Sequence, residues 1–128
     1  MNEFEIVECW LRKAVDDLKS AKVLRSEDLL ANSCYFAQQA SEKALKAYLA
    51  QFDAEIPHSH NLSMLCKRCI IHDNVFLEIL DDSSDLTDYA TQTRYPGDDT
   101  VDEDETKEAI QKAENIYQFV QERIGAME

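Results

Sequence analysis

Glycine and proline are scarce, with two of each among 128 residues. Short strands need a turn roughly every 8–12 residues. The turn-forming residues for that are missing, so an all-β fold is excluded and helices are expected. Long apolar runs are missing as well. No window approaches the ~18 apolar residues of a membrane span, and the opening Met1-Asn-Glu-Phe-Glu-Ile6 is acidic. The expectation is a cytoplasmic protein with no membrane partner. Cysteine is limited to Cys9, Cys34, Cys66 and Cys69. A chain long enough for one ordinary core, read as a single domain over 1–128, needs no disulfide staples, so these are read as thiols in a reducing compartment. Basic residues are outnumbered, 13 against 26 acidic, for a net charge of −13. Such a chain repels phosphate backbones at long range, which argues against indiscriminate coating of DNA or RNA. The deficit is uneven: residues 1–70 carry 9 Lys or Arg against 10 Asp or Glu, and residues 71–128 carry 4 against 16. A local basic face in the first half stays open.

What is present is helical periodicity. Val7, Trp10, Leu11, Ala14, Leu18, Ala21 and Leu24 recur three or four apart and predict a first helix over about Glu3–Arg25. Ser26–Asn32 reads as a turn. Cys34, Ala37, Ala40, Ala44, Leu45, Tyr48 and Leu49 then predict a second helix running to about Phe52, its stripe rich in alanine. Small side chains let a neighbour approach closely, so the first two helices are expected to pack as a tight antiparallel hairpin. Asp53–His60 reads as a loop, and Ser59 or Asn61 can cap a short third helix over about Asn61–Ile71. Asp73 can cap a fourth helix, which the acidic Asp81–Asp85 run is expected to break or kink. Thr91–Thr100 holds a Pro-Gly turn and reads as the longest loop, before a last helix over about Val101–Ile124. The predicted fold is all-α, an up-and-down bundle of four main helices plus a short extra one.

Several patterns carry chemistry, each beside a plainer reading. Cys66-Lys-Arg-Cys69 has the spacing of half a zinc site, with His58, His60 and His72 nearby in sequence. The same cysteines share a helical face with Leu62, Leu65 and Ile70, so they are read as core and no metal is assigned. Asp98, Asp99 and Asp102–Glu105 could offer hard oxygens to Mg²⁺, but charges capping a helix N-terminus account for them at less cost. Tyr89 and Arg94-Tyr95-Pro96 can clamp a phosphate and stack a base; alternatively Arg94 pairs with a carboxylate and Tyr95 seals the core edge. His60 can bind phosphate or move a proton, or serve as a structural hydrogen-bonding group. No Gly-x-Ser-x-Gly, His-Glu-x-x-His, P-loop or dinucleotide fingerprint occurs, so a conventional metabolic enzyme is not expected and neither a catalytic residue nor a cofactor is assigned.

Taken in order, Trp10-Leu-Arg-Lys-Ala14 with Asp17, Leu18 and Ala21, then Phe36-Ala-Gln-Gln-Ala-Ser-Glu-Lys-Ala-Leu-Lys-Ala-Tyr48, then Pro57 with His60-Asn-Leu62 and Leu65, then Tyr89 with Arg94-Tyr-Pro96, resemble the HEPN domain over about residues 7–124. The resemblance implies a helical bundle, often a homodimer, frequently encoded beside a minimal nucleotidyltransferase in a toxin–antitoxin or nucleotide-handling pair. Many such domains are metal-independent ribonucleases with an Arg followed after four to six residues by His. Here no histidine follows His72, so the carry-over of that chemistry stops at Arg94. The expectation is a module that binds a nucleotide or RNA through Arg94, Tyr95, Tyr89, His60 and Lys46. A pure protein-interaction module and a divergent ribonuclease are the alternatives.

Overall fold

The computed structural model describes residues 1–52, 55–90 and 101–126. Those residues form five α-helices and no strand: α1 Glu3–Ser26, α2 Leu30–Leu49, α3 Leu62–His72, α4 Leu80–Leu86 and α5 Glu103–Ala126. Short 3₁₀ turns, Asn74–Ile79 and Thr87–Tyr89, flank α4 on both sides. The fold is all-α, as the periodicity and the scarcity of turn residues predict.

Helix α2 is the hub. From Ala37 to Leu49 every residue but Lys43 is buried, because α1, α3, α5 and the α4 region pack around it. Ala37, Ala40, Ala44 and Ala47 are wholly inaccessible, as are Ala14 and Ala21 of the facing α1. Three pairings give the hairpin its sense. Ser33 donates to the Ala21 carbonyl at 2.6 Å, Lys43 pairs with Asp17, and the Lys46 ammonium lies 5.7 Å from the centre of the Trp10 ring. Position rises along α2 as it falls along α1, so the two helices are antiparallel.

The connection between them is tighter than expected. The turn predicted over Ser26–Asn32 is only Glu27–Leu29, with Ser26 inside α1 and Leu30–Asn32 inside α2. Asp28 makes this reversal in the left-handed region, φ 62°, which a short polar side chain tolerates better than a branched one. Helix α2 stops at Leu49, three residues short of the predicted end, and Phe52 closes a following turn through its N–H to the Leu49 carbonyl at 3.0 Å.

The predicted fourth helix is corrected in detail. Its expected weak point, Asp81–Asp85, lies within the α-helical part, while Asn74–Ile79 before it is the 3₁₀ turn. Asp73 caps that turn by accepting from the Val75 N–H at 3.1 Å. The acidic run is stable as helix because Asp81 and Asp82 sit in the favourable first turn. Asp85 pairs with Lys112 of α5 at 3.0 Å, and the buried Ser83 satisfies its hydroxyl on the Ile79 carbonyl.

Candidate functional site

The cysteines take their plainer role. Cys66 and Cys69 are buried; their sulfurs donate to the Phe76 carbonyl at 3.4 Å and the Leu45 carbonyl at 3.8 Å, and burial pushes both thiols up. Among the described residues no three His, Cys, Asp or Glu side chains converge as metal ligands. The acidic residues at the start of α5 are also engaged: Asp102 accepts from the Glu105 N–H at 2.8 Å, Glu103 pairs with Arg25, and Glu105 accepts from the Tyr89 hydroxyl. Of the acidic run, Asp98 and Asp99 lie outside the described residues.

The concentrated polar feature of the interior is a cluster on α2. Gln38, Glu42 and Lys46 recur at intervals of four, so they form one stripe of the helix, and all three are buried. Glu42 stands at the centre, its side chain 5% exposed. Its Oε2 accepts from the Lys46 ammonium at 2.9 Å, and its Oε1 accepts from His60 Nδ1 at 2.8 Å and, more weakly, from the Gln38 and Gln39 amides at 3.4 and 3.5 Å. Gln38 also donates to the His60 carbonyl at 2.9 Å, and Gln39 donates to the Gln38 side-chain oxygen at 2.7 Å. The loop ahead of α3 is thereby pinned to α2 through both the backbone and the side chain of His60. Asn61 then caps α3, accepting from the Met64 N–H at 3.1 Å, so of the two caps the sequence offers, Ser59 and Asn61, the second takes the role.

Burial alone pushes the Glu42 carboxyl up, but the hydrogen bonds and charges of His60 and Lys46 together outweigh that and hold it below its ordinary value of 4.5. Glu42 is therefore a carboxylate, an acceptor only. The sign of its pH effect follows. As pH falls, the unfolded chain takes up the proton first, so the Glu42 contribution is complete above the ordinary range and is lost as pH drops through the folded-state value. The melting temperatures of wild type and Glu42→Gln are expected to converge as pH is lowered below 4.5, by thermal denaturation followed across pH.

Of the sequence-derived candidates, His60 and Lys46 are brought together, both on Glu42. Their surroundings differ. Lys46 is buried and occupied by Glu42 and the Trp10 face, whereas the His60 side chain is 66% exposed. Tyr89 is anchored to Glu105 at the start of α5, and its short helical turn packs on α2. Arg94 and Tyr95 lie outside the described residues, in the segment joining Ala90 to Val101. Sequence reasoning missed Glu42, Gln38 and Gln39 as members of the cluster. The signal was a polar stripe spaced by four within an alanine-rich helix, which over a buried stretch such as Ala37–Leu49 demands partners. A separate groove between α1 and α5 is lined by Leu11, Arg12, Val15, Tyr117 and Gln121 and shares no residue with this cluster.

No helix among the described residues is long and apolar enough to cross a membrane. Comparison with curated proteins finds no match. Solved structures do match. TT1696 from Thermus thermophilus superposes with a TM-score of 0.81 at 28% identity, over 95% of this chain and 98% of its own. The crystal structure of an archaeal HEPN homologue superposes with a TM-score of 0.75, also at 28% identity, over 92% of this chain and 97% of its own. The model of the HEPN domain matches residues 7–124. With nearly the whole length matched and the bundle shared, the chain belongs to the HEPN domain family.

Proposed function

We propose that this HEPN domain binds the phosphate of a nucleotide or of an RNA end and works as a homodimer beside a minimal nucleotidyltransferase in a toxin–antitoxin type of system. The observation that supports the ligand role is the His60 imidazole, exposed at the surface while tied from beneath to the buried Glu42 carboxylate. A surface histidine needs no such anchor for solubility; a fixed one can present a defined nitrogen to a ligand. Arg94 supplies the permanent positive charge for phosphate and Tyr95 a face for a base. Lys46 holds Glu42 in place rather than reaching for ligand. The repulsive charge of the second half limits the protein to a defined terminal phosphate rather than a long backbone.

Calorimetric titration with ATP, GTP and a short RNA tests this. Wild type is expected to bind at least one of them, and Arg94→Ala to bind it about 10–100-fold more weakly, the usual worth of a hydrogen bond to a charged group. No heat of binding for any of the three in folded wild type overturns the ligand role. A salt-sensitive protein pull-down indifferent to nucleotide would then favour an interaction module built on the acidic second half.

A further inference from the structure

We infer, resting on the phosphate-binding reading of the same site, that Glu42 is the positioning residue for His60. Its carboxylate fixes the imidazole as the Nδ1–H tautomer, so that Nε2 is the atom that meets the ligand. The Nδ1 to Oε1 distance is 2.8 Å, and an ionised carboxylate has no proton to give, so the proton on this contact belongs to Nδ1. Neutral His60 therefore carries its lone pair on Nε2. Protonated His60 donates from Nε2 while Nδ1–H remains on Glu42. In both states Nε2 is the ring nitrogen left for a ligand, on a side chain that is 66% exposed, and no hydrogen bond from it to another described residue is present.

The rest of the cluster fits this role. The ring is restrained twice, because the Gln38 amide holds the His60 carbonyl at 2.9 Å while Glu42 holds the ring. Lys46, at 2.9 Å on the other carboxylate oxygen, keeps Glu42 ionised and aimed. The charged groups facing the imidazole in this cluster are thus one carboxylate directly and one ammonium behind it. The arrangement resembles the way carboxylates orient metal-ligating histidines, where removing such a partner typically costs ~10–100-fold in metal affinity or activity.

The sign of the effect separates positioning from plain electrostatics. Removing a negative charge near a bound phosphate would, by Coulomb attraction and repulsion alone, tighten binding. Loss of the positioning contact weakens it. Nitrogen-15 NMR of the histidine side chains in wild type should show neutral His60 as Nδ1–H. In Glu42→Gln the ring should lose that single tautomer, and ATP should bind about tenfold or more weakly. An Nε2–H tautomer in wild type overturns the assignment, as does a folded Glu42→Gln that binds ATP equally well or better. The wild-type tautomer decides the matter if the variant does not fold. Wild type that binds no ATP, GTP or RNA overturns the phosphate reading and with it the ligand-facing role of Nε2. An Nδ1–H tautomer in that same sample keeps Glu42 as the group that sets the ring, and an Nε2–H tautomer removes it.

Discussion

Replacing Glu42 by alanine is expected to destabilise the domain by about 3–5 kcal/mol, because it strips the partner from a buried ammonium. Lys46 is only 9% exposed in its side chain, and besides Glu42 it has the Trp10 face at 5.7 Å. The same change leaves the Gln38 and Gln39 amides without their shared acceptor and frees the loop at His60. Removing both ends of the ion pair should be far milder. A Glu42→Leu, Lys46→Met double variant fills similar volume with apolar atoms, and such replacements of whole buried pairs are often neutral or stabilising. Urea denaturation of the two single variants and the double variant measures this. The double variant is expected to recover most of the loss, and a loss equal to the sum of the singles would contradict the coupling.

The second large effect is expected close to the C-terminal end of α2. Phe76→Ala should cost about 3–5 kcal/mol. Phe76 is wholly buried, its ring centre 4.4 Å from that of Tyr48 and 5.0 Å from that of Phe119. It thus ties the 3₁₀ turn after α3 to α2 and α5 at once, so its loss opens a cavity shared by three elements. Phe76→Leu keeps most of the volume and is expected to lose less than about 1.5 kcal/mol. A fall in the urea midpoint with an unchanged slope is the expected reading. Since small domains hold only ~5–15 kcal/mol in total, the alanine variant approaches the limit of folding while leaving the Glu42 cluster untouched.

These two sites illustrate what could be read before the fold was known. Helices α1, α2 and α5 were legible because each repeats an apolar stripe over five or more turns, so a local irregularity does not hide the period. The α3–α4 region was legible only in outline. Its helices are one to three turns long, and whether Asp81–Asp85 continues or breaks a helix depends on Lys112, a partner some thirty residues away in sequence. The tight turn at Asp28 escaped for a similar reason, since the residue identities of Ser26–Asn32 suit a loop or a helix end equally well.

The site was half legible. His60 and Lys46 stood out as residue types with chemistry, but their relation did not, because the residue joining them was hidden inside a helix that reads as ordinary amphipathic sequence. Glu42 looks like one more surface charge until α3 and its preceding loop are known to cover that face. The Asp17–Lys43 pair and the Trp10 face over Lys46 are invisible for the same reason, as each joins α1 to α2 across the hairpin. What the sequence did offer was the interval of four between Gln38, Glu42 and Lys46, a polar stripe where the alanines on either side demand burial.

Backbone amide NMR during an ATP titration tests the proposed site most directly. Resonances of His60, Asn61, Gln38, Tyr89 and Arg94 are expected to shift together, saturating at one common affinity. Shifts confined to the α1–α5 groove at Leu11, Arg12, Val15 and Tyr117, or none anywhere, would contradict the assignment of the ligand to the histidine that Glu42 holds.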